Sequence, residues 1–246
     1  MILYGRNPVR EALQGRRKAS VGDVWATEAA AREPWLSGRK VRVVKRAEEL
    51  SERCGSDSHQ GVCAEAGSYP YVGFAELLGA SGQPLLVALD QVQDPQNLGS
   101  ICRTAECAGV AGVVIPERRA AEVTPAVCKA SAGAVEHLRI ARVGNLADFM
   151  RRARERDFWC YGASAPNASE ERRTVSYDNP DYKGGGVVLV LGSEGRGLRP
   201  LVARECDELI SLPMLGKVQS LNVSAAAAAL LYEILQQRGG GLDMAS

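Results

Sequence analysis

The sequence predicts an α/β protein in which a mostly parallel sheet occupies the second part of the chain and a small α/β domain precedes it. The chain has 246 residues, of which 46% are hydrophobic, enough for one large domain and one small one. From residue 84 onward, short apolar runs alternate with helix-length segments, as in strands that helices cover on both faces. A glycine- and proline-rich stretch at residues 67–83 separates this pattern from the mixed signals before it.

Residues 1–66 alternate helical and extended signals. We predict helices at residues 8–13 and 47–54 and strands in the sequences DVWAT and KVRVV, followed by the sequence GVCAEA. This segment is also the basic part of the chain, with 12 Lys and Arg against 9 Asp and Glu. Its basic cluster, at residues 39–46, suits contacts with phosphates, although taken alone it fits an ordinary solvated surface better.

The second part of the chain contains five apolar runs, which we predict to be buried strands. In chain order they are LLVALD, AGVVIP, FWCYGAS, VVLVLG and ELISLP. Ligands of open parallel sheets bind beyond the carboxyl ends of the strands. The residues that follow these runs are therefore the candidates for a site.

The first candidate loop is LDQVQDPQNLGSICRTAECAGV, in which Asp94 and Pro95 form a turn before a helix predicted at residues 97–108. Asn97 lies near the start of this helix, and Arg103 follows six residues later. Taken singly, Asn97 fits a helix cap and Arg103 fits a solvated side chain.

The second candidate loop is LGSEGRGL, where Gly192, Gly195 and Gly197 allow the backbone to approach a ligand closely. The spacing is the reverse of the dinucleotide fingerprint, and no Lys-Ser or Lys-Thr pair follows as in a phosphate-binding loop. Glu194 would repel a phosphate. The loop therefore favours a cationic or uncharged ligand over NAD or ATP.

The third candidate loop leads into a helix predicted to begin near Leu221, with Ser220 or Asn222 as its cap. Five consecutive alanines at residues 225–229 have the highest helix propensity. Such a small-residue face allows close approach of another backbone, within the chain or across a dimer.

The seven cysteines predict reduced, mostly packed thiols, because their number is odd and no two form a CxxC pair. Cys54, His59 and Cys63 lack a second nearby pair of ligands, so we expect no metal site. No apolar run approaches the roughly 20 residues that cross a bilayer, and the first residues lack the apolar stretch of a secretory signal. We expect a cytoplasmic protein without a membrane partner.

Three ordered motifs, DPQNLGSICRTAECAGV, LVLGSEGRGL and ISLPMLGKVQSLNVSAAAAALLYE, resemble those of the SpoU (TrmH) group of SPOUT RNA methyltransferases. The earlier sequences YGRNPVREAL and HQGVCAEA resemble the small L30e-like substrate-binding domain of bacterial 23S rRNA guanosine 2′-O-methyltransferases. The resemblance implies an L30e-like RNA-binding domain at residues 1–66, a linker at 67–83 and a SPOUT domain with a deep trefoil knot at 84–246.

The resemblance also implies the chemistry: a methyl group passes from S-adenosylmethionine to a ribose 2′-hydroxyl of RNA, with 23S rRNA or a large-subunit precursor as the expected substrate. Members of this type are homodimers and use no metal. The implied cofactor contacts are Gly192, Leu212 and Leu221. The implied catalytic residues are Arg103, which acts on the hydroxyl, and Asn97, Glu194, Ser220 and Asn222, which organise the site.

The implied role of Arg103 is electrostatic, because a guanidinium with a pKa above about 12 is a poor base. It would hold a substrate phosphate and stabilise the developing alkoxide. Two alternatives stay open: methylation of tRNA or of an rRNA adenosine, and a non-catalytic RNA-binding or ribosome-assembly protein on the same fold. The N-terminal domain argues against tRNA, and the complete set of motif residues argues against a non-catalytic protein.

Overall fold

The computed structural model of the chain describes residues 1–165, 174–218 and 220–239, so residues 240–246 of the predicted second domain lie outside it. The described residues form two separate sheets, one of four strands and one of seven. In this described part, no helix is both long and apolar enough to cross a membrane.

The four-stranded sheet is built from residues 2–66 and has the strand order β1-β4-β2-β3. Its strands are β1 (Ile2–Tyr4), β2 (Val21–Thr27), β3 (Val41–Val44) and β4 (Val62–Ala66). Strand β4 is antiparallel to both neighbours, and β2 and β3 are parallel. The helices of this part are α1 (Arg6–Ala12), α2 (Glu28–Ala31) and α3 (Glu48–Cys54). The predicted helices and strands are confirmed, and the sequence GVCAEA forms β4. The pattern did not predict β1 and α2, which are too short for a clear periodicity.

The seven-stranded sheet has the order β7-β6-β5-β10-β8-β11-β9, and every neighbouring pair is parallel. Its strands are β5 (Leu85–Asp90), β6 (Gly112–Pro116), β7 (Ile140–Val143), β8 (Phe158–Ala163), β9 (Thr174–Ser176), β10 (Gly186–Gly192) and β11 (Glu208–Ser211). The five predicted strands are confirmed. The two that the pattern missed, β7 and β9, are the short edge strands.

Helices cover both faces of this sheet, which explains why its strands have no polar alternation. The helices are α4 (Phe74–Leu78), α5 (Pro95–Cys107), α6 (Pro125–Ala130), α7 (Leu146–Arg154), α8 (Pro200–Glu205) and α9 (Val223–Gln237). Val87 and Leu89 of β5 belong to the core that includes α5 and α9, whereas Leu86 and Ala88 belong to the core on the other face, with α7. Every residue of β5 is buried.

A buried ion pair joins the two parts of the chain. The Nε atom of Arg17 donates to Oε2 of Glu136 at 2.8 Å, and its Nη2 atom donates to Oε1. Both side chains are almost completely buried. Nearby, the hydroxyl of Tyr69 lies 2.9 Å and 2.8 Å from the carbonyl oxygens of Val135 and Leu138. The predicted boundaries at residues 66 and 83, and the trefoil knot, remain predictions.

Candidate active site

The three candidate loops meet at the carboxyl ends of β5 and β10. These strands are neighbours in the sheet, and Gly192 at the end of β10 lies in register with Asp90 at the end of β5. Because parallel strands end at the same edge, the loops that follow them emerge side by side. Helix α9 packs beside α5 and brings the third loop to the same place.

Asn97, Glu194 and Asn222 contact one another directly. The Nδ2 atom of Asn97 donates to Oε1 of Glu194. The Nδ2 atom of Asn222 lies 3.0 Å from Oδ1 of Asn97 and 3.3 Å from Oε1 of Glu194. Three residues that are far apart in the sequence thus form one hydrogen-bonded cluster, which we call the amide–carboxylate cluster.

Helix caps hold two members of this cluster in place. Asp94 caps α5, since its Oδ1 atom accepts from the backbone N–H of Gln96 at 2.9 Å and its Oδ2 atom accepts from Nδ2 of Asn97 at 3.1 Å. Asn97 is therefore not the cap, and its amide can reach across to the other loops. Asn222 caps α9 by accepting from the backbone N–H of Ser224 at 2.8 Å.

The glycine loop turns back across the end of β10. A Cβ atom on Gly192 would lie 2.2 Å from the carbonyl carbon of Gly197, so no larger residue fits. Ser193 and Gly197 exchange backbone hydrogen bonds of 3.1 Å and 2.9 Å. Gly195 and Gly197 have φ values of 76° and 65°, in the left-handed region that favours glycine. The tight turn presents Glu194 to the other two loops.

A buried carboxylate anchors the chain that leaves this turn. Asp90 is fully buried, and its Oδ1 atom accepts from Nε of Arg199 at 2.7 Å. Its Oδ2 atom accepts from the backbone N–H of Arg199 at 2.8 Å. These two bonds tie the start of α8 to the end of β5. The sequence interpretation did not single out either residue, although Asp90 is the one charged residue that ends an apolar run.

A first cavity of about 440 Å³ lies beyond the ends of β10 and β11. Gly192, Leu212 and Leu221, the three predicted cofactor contacts, all line it. Glu194, Ser220 and Asn222 line it as well, so all six residues come from the second and third loops around a common space. Leu191, Ile210 and Leu230 contribute an apolar floor. We call this space the apolar cavity.

A second cavity of about 440 Å³ adjoins the first, and we call it the polar cavity. Gln91, Gln93, Asp94, Asn97 and Arg196 line it together with Val92, Ser193 and Glu194. Ser193 and Glu194 also line the apolar cavity, so these two residues separate the two spaces. Sequence reasoning missed the two glutamines and Arg196. The position of the glutamines directly after β5 was the signal that could have found them.

Arg103 lies apart from both cavities. It is exposed on α5 and lines neither space, and within the described part of the chain it makes no ion pair. The geometry of the helix accounts for this, because six residues correspond to about one and two-thirds turns and direct Arg103 away from the side of Asn97. The structure brings together every other predicted catalytic residue.

The described residues contain no group of three His, Cys, Asp or Glu side chains that could hold a metal ion. Five of the seven cysteines are buried, in agreement with the predicted packed thiols. Cys102, beside Arg103, is completely buried, and burial raises the pKa of its thiol to about 12.

Two family models match the chain. Residues 84–232 match the SpoU rRNA methylase family. Residues 2–72 match the model for RNA 2′-O ribose methyltransferase substrate binding. Together they extend over both sheets.

Relatives and solved structures agree with these matches. The chain is 39% identical over 251 residues to YacO of Bacillus subtilis, a protein assigned to the TrmH family of tRNA/rRNA methyltransferases, with 96% of this chain and 95% of YacO covered. An AdoMet-bound rRNA methyltransferase from Sinorhizobium meliloti is 28% identical, with a TM-score of 0.76 over 96% of this chain and 86% of that one.

The SpoU methyltransferase AviRb of Streptomyces viridochromogenes, in complex with AdoMet, has a TM-score of 0.78 at 24% identity, over 98% of this chain and 91% of that one. At this identity the likeness supports the fold alone. Together with the Sinorhizobium meliloti structure, it confirms the predicted α/β fold with a mostly parallel sheet. With the two family models and the relatives, it follows that the chain belongs to the SpoU rRNA methylase family of RNA methyltransferases.

Proposed function

We propose that the protein transfers a methyl group from S-adenosylmethionine to a ribose 2′-hydroxyl of RNA, and that its substrate is a guanosine of 23S rRNA or of a large-subunit precursor. The observation that carries this proposal is the amide–carboxylate cluster at the boundary between the apolar and the polar cavity. Such a cluster can organise a donor on one side and an acceptor on the other.

The apolar cavity suits S-adenosylmethionine. The lack of space at Gly192 brings backbone groups to the cavity wall, where they can bind the adenosine and amino acid parts of the cofactor. Leu212 and Leu221 offer apolar surface for the adenine ring. The carboxylate of Glu194 favours a cationic ligand over a phosphate. The Sinorhizobium meliloti relative, with its bound AdoMet, supports this assignment.

When bound, S-adenosylmethionine supplies an electrophilic methyl group for in-line displacement, so the protein's own task is alignment and removal of a proton. We assign alignment to Asn97, Asn222 and Glu194, because their hydrogen bonds hold one another at the cavity boundary. Ser220 lines the same space and can bind the ligand through its hydroxyl. We assign to Arg103 the stabilisation of the developing alkoxide, although it lies outside both cavities of its own chain. It would act either by binding the RNA or by reaching the site of a partner subunit across an interface.

We also propose a homodimer. Ala225, Ala229 and Tyr232 form an exposed stripe along α9, whose buried residues Val223 and Leu230 line the apolar cavity. Small residues allow a second backbone to come close, and Tyr232 offers an aromatic contact. Because α9 packs beside α5, we place the exposed Arg103 of α5 at the same interface.

The N-terminal part supports rRNA as the substrate. Its match to the model for RNA 2′-O ribose methyltransferase substrate binding supports a role of residues 2–72 in RNA recognition. YacO, however, carries both tRNA and rRNA in its name, so 2′-O-methylation of tRNA or of an rRNA adenosine is the second candidate. A non-catalytic RNA-binding role has less support, because all three residues of the amide–carboxylate cluster are present and a cavity lies on each side of it.

The test is incubation of the protein with methyl-labelled S-adenosylmethionine and either rRNA or tRNA from a strain that lacks it. We expect label in 2′-O-methylguanosine of 23S rRNA after digestion to nucleosides and mass spectrometry. The Glu194→Gln variant, which keeps the shape of the side chain, should lose at least about 90% of the activity. Label in a base instead of a ribose, or no transfer to any RNA, would contradict the proposal.

A further inference from the structure

We infer that the polar cavity binds the acceptor nucleotide, with Gln91 and Gln93 binding the base and Arg196 binding a backbone phosphate. This inference rests on the proposed function, and it assigns recognition to Gln91, Gln93 and Arg196, to which the resemblance gave no role. The ligand is a single ribonucleotide that has left the stack of its RNA.

The position of the polar cavity supports this role. It shares Ser193 and Glu194 with the apolar cavity, and Asn97 of the amide–carboxylate cluster lines it. A methyl group moves only a short distance in a direct displacement, so donor and acceptor must occupy adjoining spaces. Among the cavities described in this structure, only the polar one shares lining residues with the apolar one.

The size and lining of the cavity fit a nucleotide. Its volume of about 440 Å³ lies in the range of small-molecule sites, roughly 300–1,000 Å³. Seven of its eight lining residues are polar or charged, which is unusual for an apolar ligand. A glutamine amide both donates and accepts hydrogen bonds, as the edge of a base requires.

The two glutamines are available for such bonds. Within the described part of the chain, neither side chain has a hydrogen-bond partner. Gln91 also has a φ of 63°, in the left-handed region that residues other than glycine rarely adopt. A hydrogen bond of 2.9 Å from the N–H of Ala121 to the carbonyl of Val92 holds the adjoining backbone. This conformation places Gln91 in the cavity wall, where its strain is consistent with a binding role.

Arg196 is the one cationic side chain among the residues that line the polar cavity, and Asp94 and Glu194 are the two anionic ones. The carboxylates of Asp94 and Glu194 are already hydrogen-bonded to protein donors. Arg196 is exposed, and the described residues offer it no ion pair. A free guanidinium binds phosphate oxygens in a bidentate manner. Arg196, and not Arg103, is therefore the arginine that a single chain presents to the acceptor.

This arrangement excludes a nucleotide inside a regular duplex. A base that enters a cavity must be unstacked from its neighbours, and specific recognition of RNA commonly uses the splayed bases of loops and bulges. We therefore expect the target ribose to lie in a single-stranded loop of the RNA.

The test compares Gln93→Ala and Arg196→Gln with two matched controls, Gln96→Ala and Arg156→Gln. Gln96 is exposed and lies outside both cavities, and Arg156 is exposed just before β8, at the opposite edge of the sheet. Calorimetry should give the wild-type affinity for S-adenosylmethionine in all four variants. On rRNA, Gln93→Ala should lower kcat/KM roughly tenfold, as the loss of a specific hydrogen bond implies.

For Arg196→Gln we expect a higher KM for rRNA and a weaker dependence of KM on salt, since a phosphate contact is lost. Both controls should keep wild-type values. The inference is overturned if Gln93→Ala and Arg196→Gln behave like the controls while the wild type transfers methyl groups.

A second measurement separates this inference from the proposed function. Guanosine 5′-monophosphate is added to the protein with S-adenosylhomocysteine, and amide shifts are followed by NMR. Shifts at residues 91–94 and 193–196 that are lost in Arg196→Gln support nucleotide binding in the polar cavity, even if the wild type transfers no methyl group and the proposed function fails. If the wild type transfers no methyl group and also shows no such shifts, the inference is overturned.

Discussion

Asn97 and Asn222 are the same type of residue near the start of a helix, but their roles differ. Asn222 caps α9 and donates to Asn97 at 3.0 Å, whereas Asp94 takes the cap of α5. Because the cap of α5 is already occupied, the amide of Asn97 is available to Glu194. The sequence identified both asparagines as cap candidates. Because the carboxylate of Asp94 occupies the cap of α5, only Asn222 is a helix cap.

The cysteines of α5 give a prediction about reactivity. Burial raises the pKa of the Cys102 thiol to about 12, so this thiol stays neutral below that pH and is a poor nucleophile. Cys107 is exposed at the end of the same helix. We expect a thiol reagent at pH 8 to modify Cys107 in the fastest phase and to leave Cys102 unmodified until the protein is unfolded.

Peptide mass mapping after short labelling checks this prediction. The Cys107→Ser variant should lose the fastest phase and keep the slower ones. Rapid labelling of Cys102 in the folded protein would mean that α5 opens easily, in conflict with its complete burial.

Between elements, the buried ion pair of Arg17 and Glu136 joins the two parts of the chain. It joins the loop after α1 to a short 3₁₀ turn at Ala134–Glu136 of the second part. Tyr69 contacts the same region through its hydroxyl, and Nε2 of His137 lies 2.9 Å from Oε2 of Glu11. These contacts hold the basic N-terminal part in a defined position relative to the two cavities.

Removal of one partner of this pair should be costly, because the other charge would be left buried without compensation. We expect Glu136→Gln to lower the free energy of unfolding by about 3–5 kcal/mol in urea denaturation. The matched control is Glu28→Gln, whose partner Arg32 is exposed. That change should cost less than about 1 kcal/mol.

Equal effects of the two substitutions would show that the pair does not stabilise the contact between the two parts. If Glu136→Gln also raises KM for RNA while the affinity for S-adenosylmethionine is unchanged, the pair positions the N-terminal part for substrate binding.

For the whole molecule, the exposed stripe on α9 predicts a dimer. We expect light scattering to give the mass of two chains at micromolar concentration. A charge in the stripe should prevent close packing, so Ala229→Glu should give a monomer with reduced methyl transfer. Ala29→Glu changes an exposed alanine on α2 in the same way and should leave the dimer intact.

A stable wild-type monomer would contradict the proposed assembly and the placement of Arg103 at an interface. A dimer that survives Ala229→Glu would mean that the subunits meet on another surface.

Over the whole chain, the sequence by itself determined the five central strands, the main helices and the three loops of the site. Apolar runs and helix caps act over a few neighbouring residues, so they can be read without knowledge of the fold. The three motifs indicated the family, and the comparisons confirm it.

Only the tertiary structure decided which distant residues meet. It placed β10 between β5 and β8, and this order brings Glu194 to Asn97. It also formed the pair of Arg17 and Glu136, separated by 119 residues, and the polar cavity. Such contacts depend on how complete elements pack, and no local propensity records them. For the same reason, the outward position of Arg103 became apparent only in the folded chain.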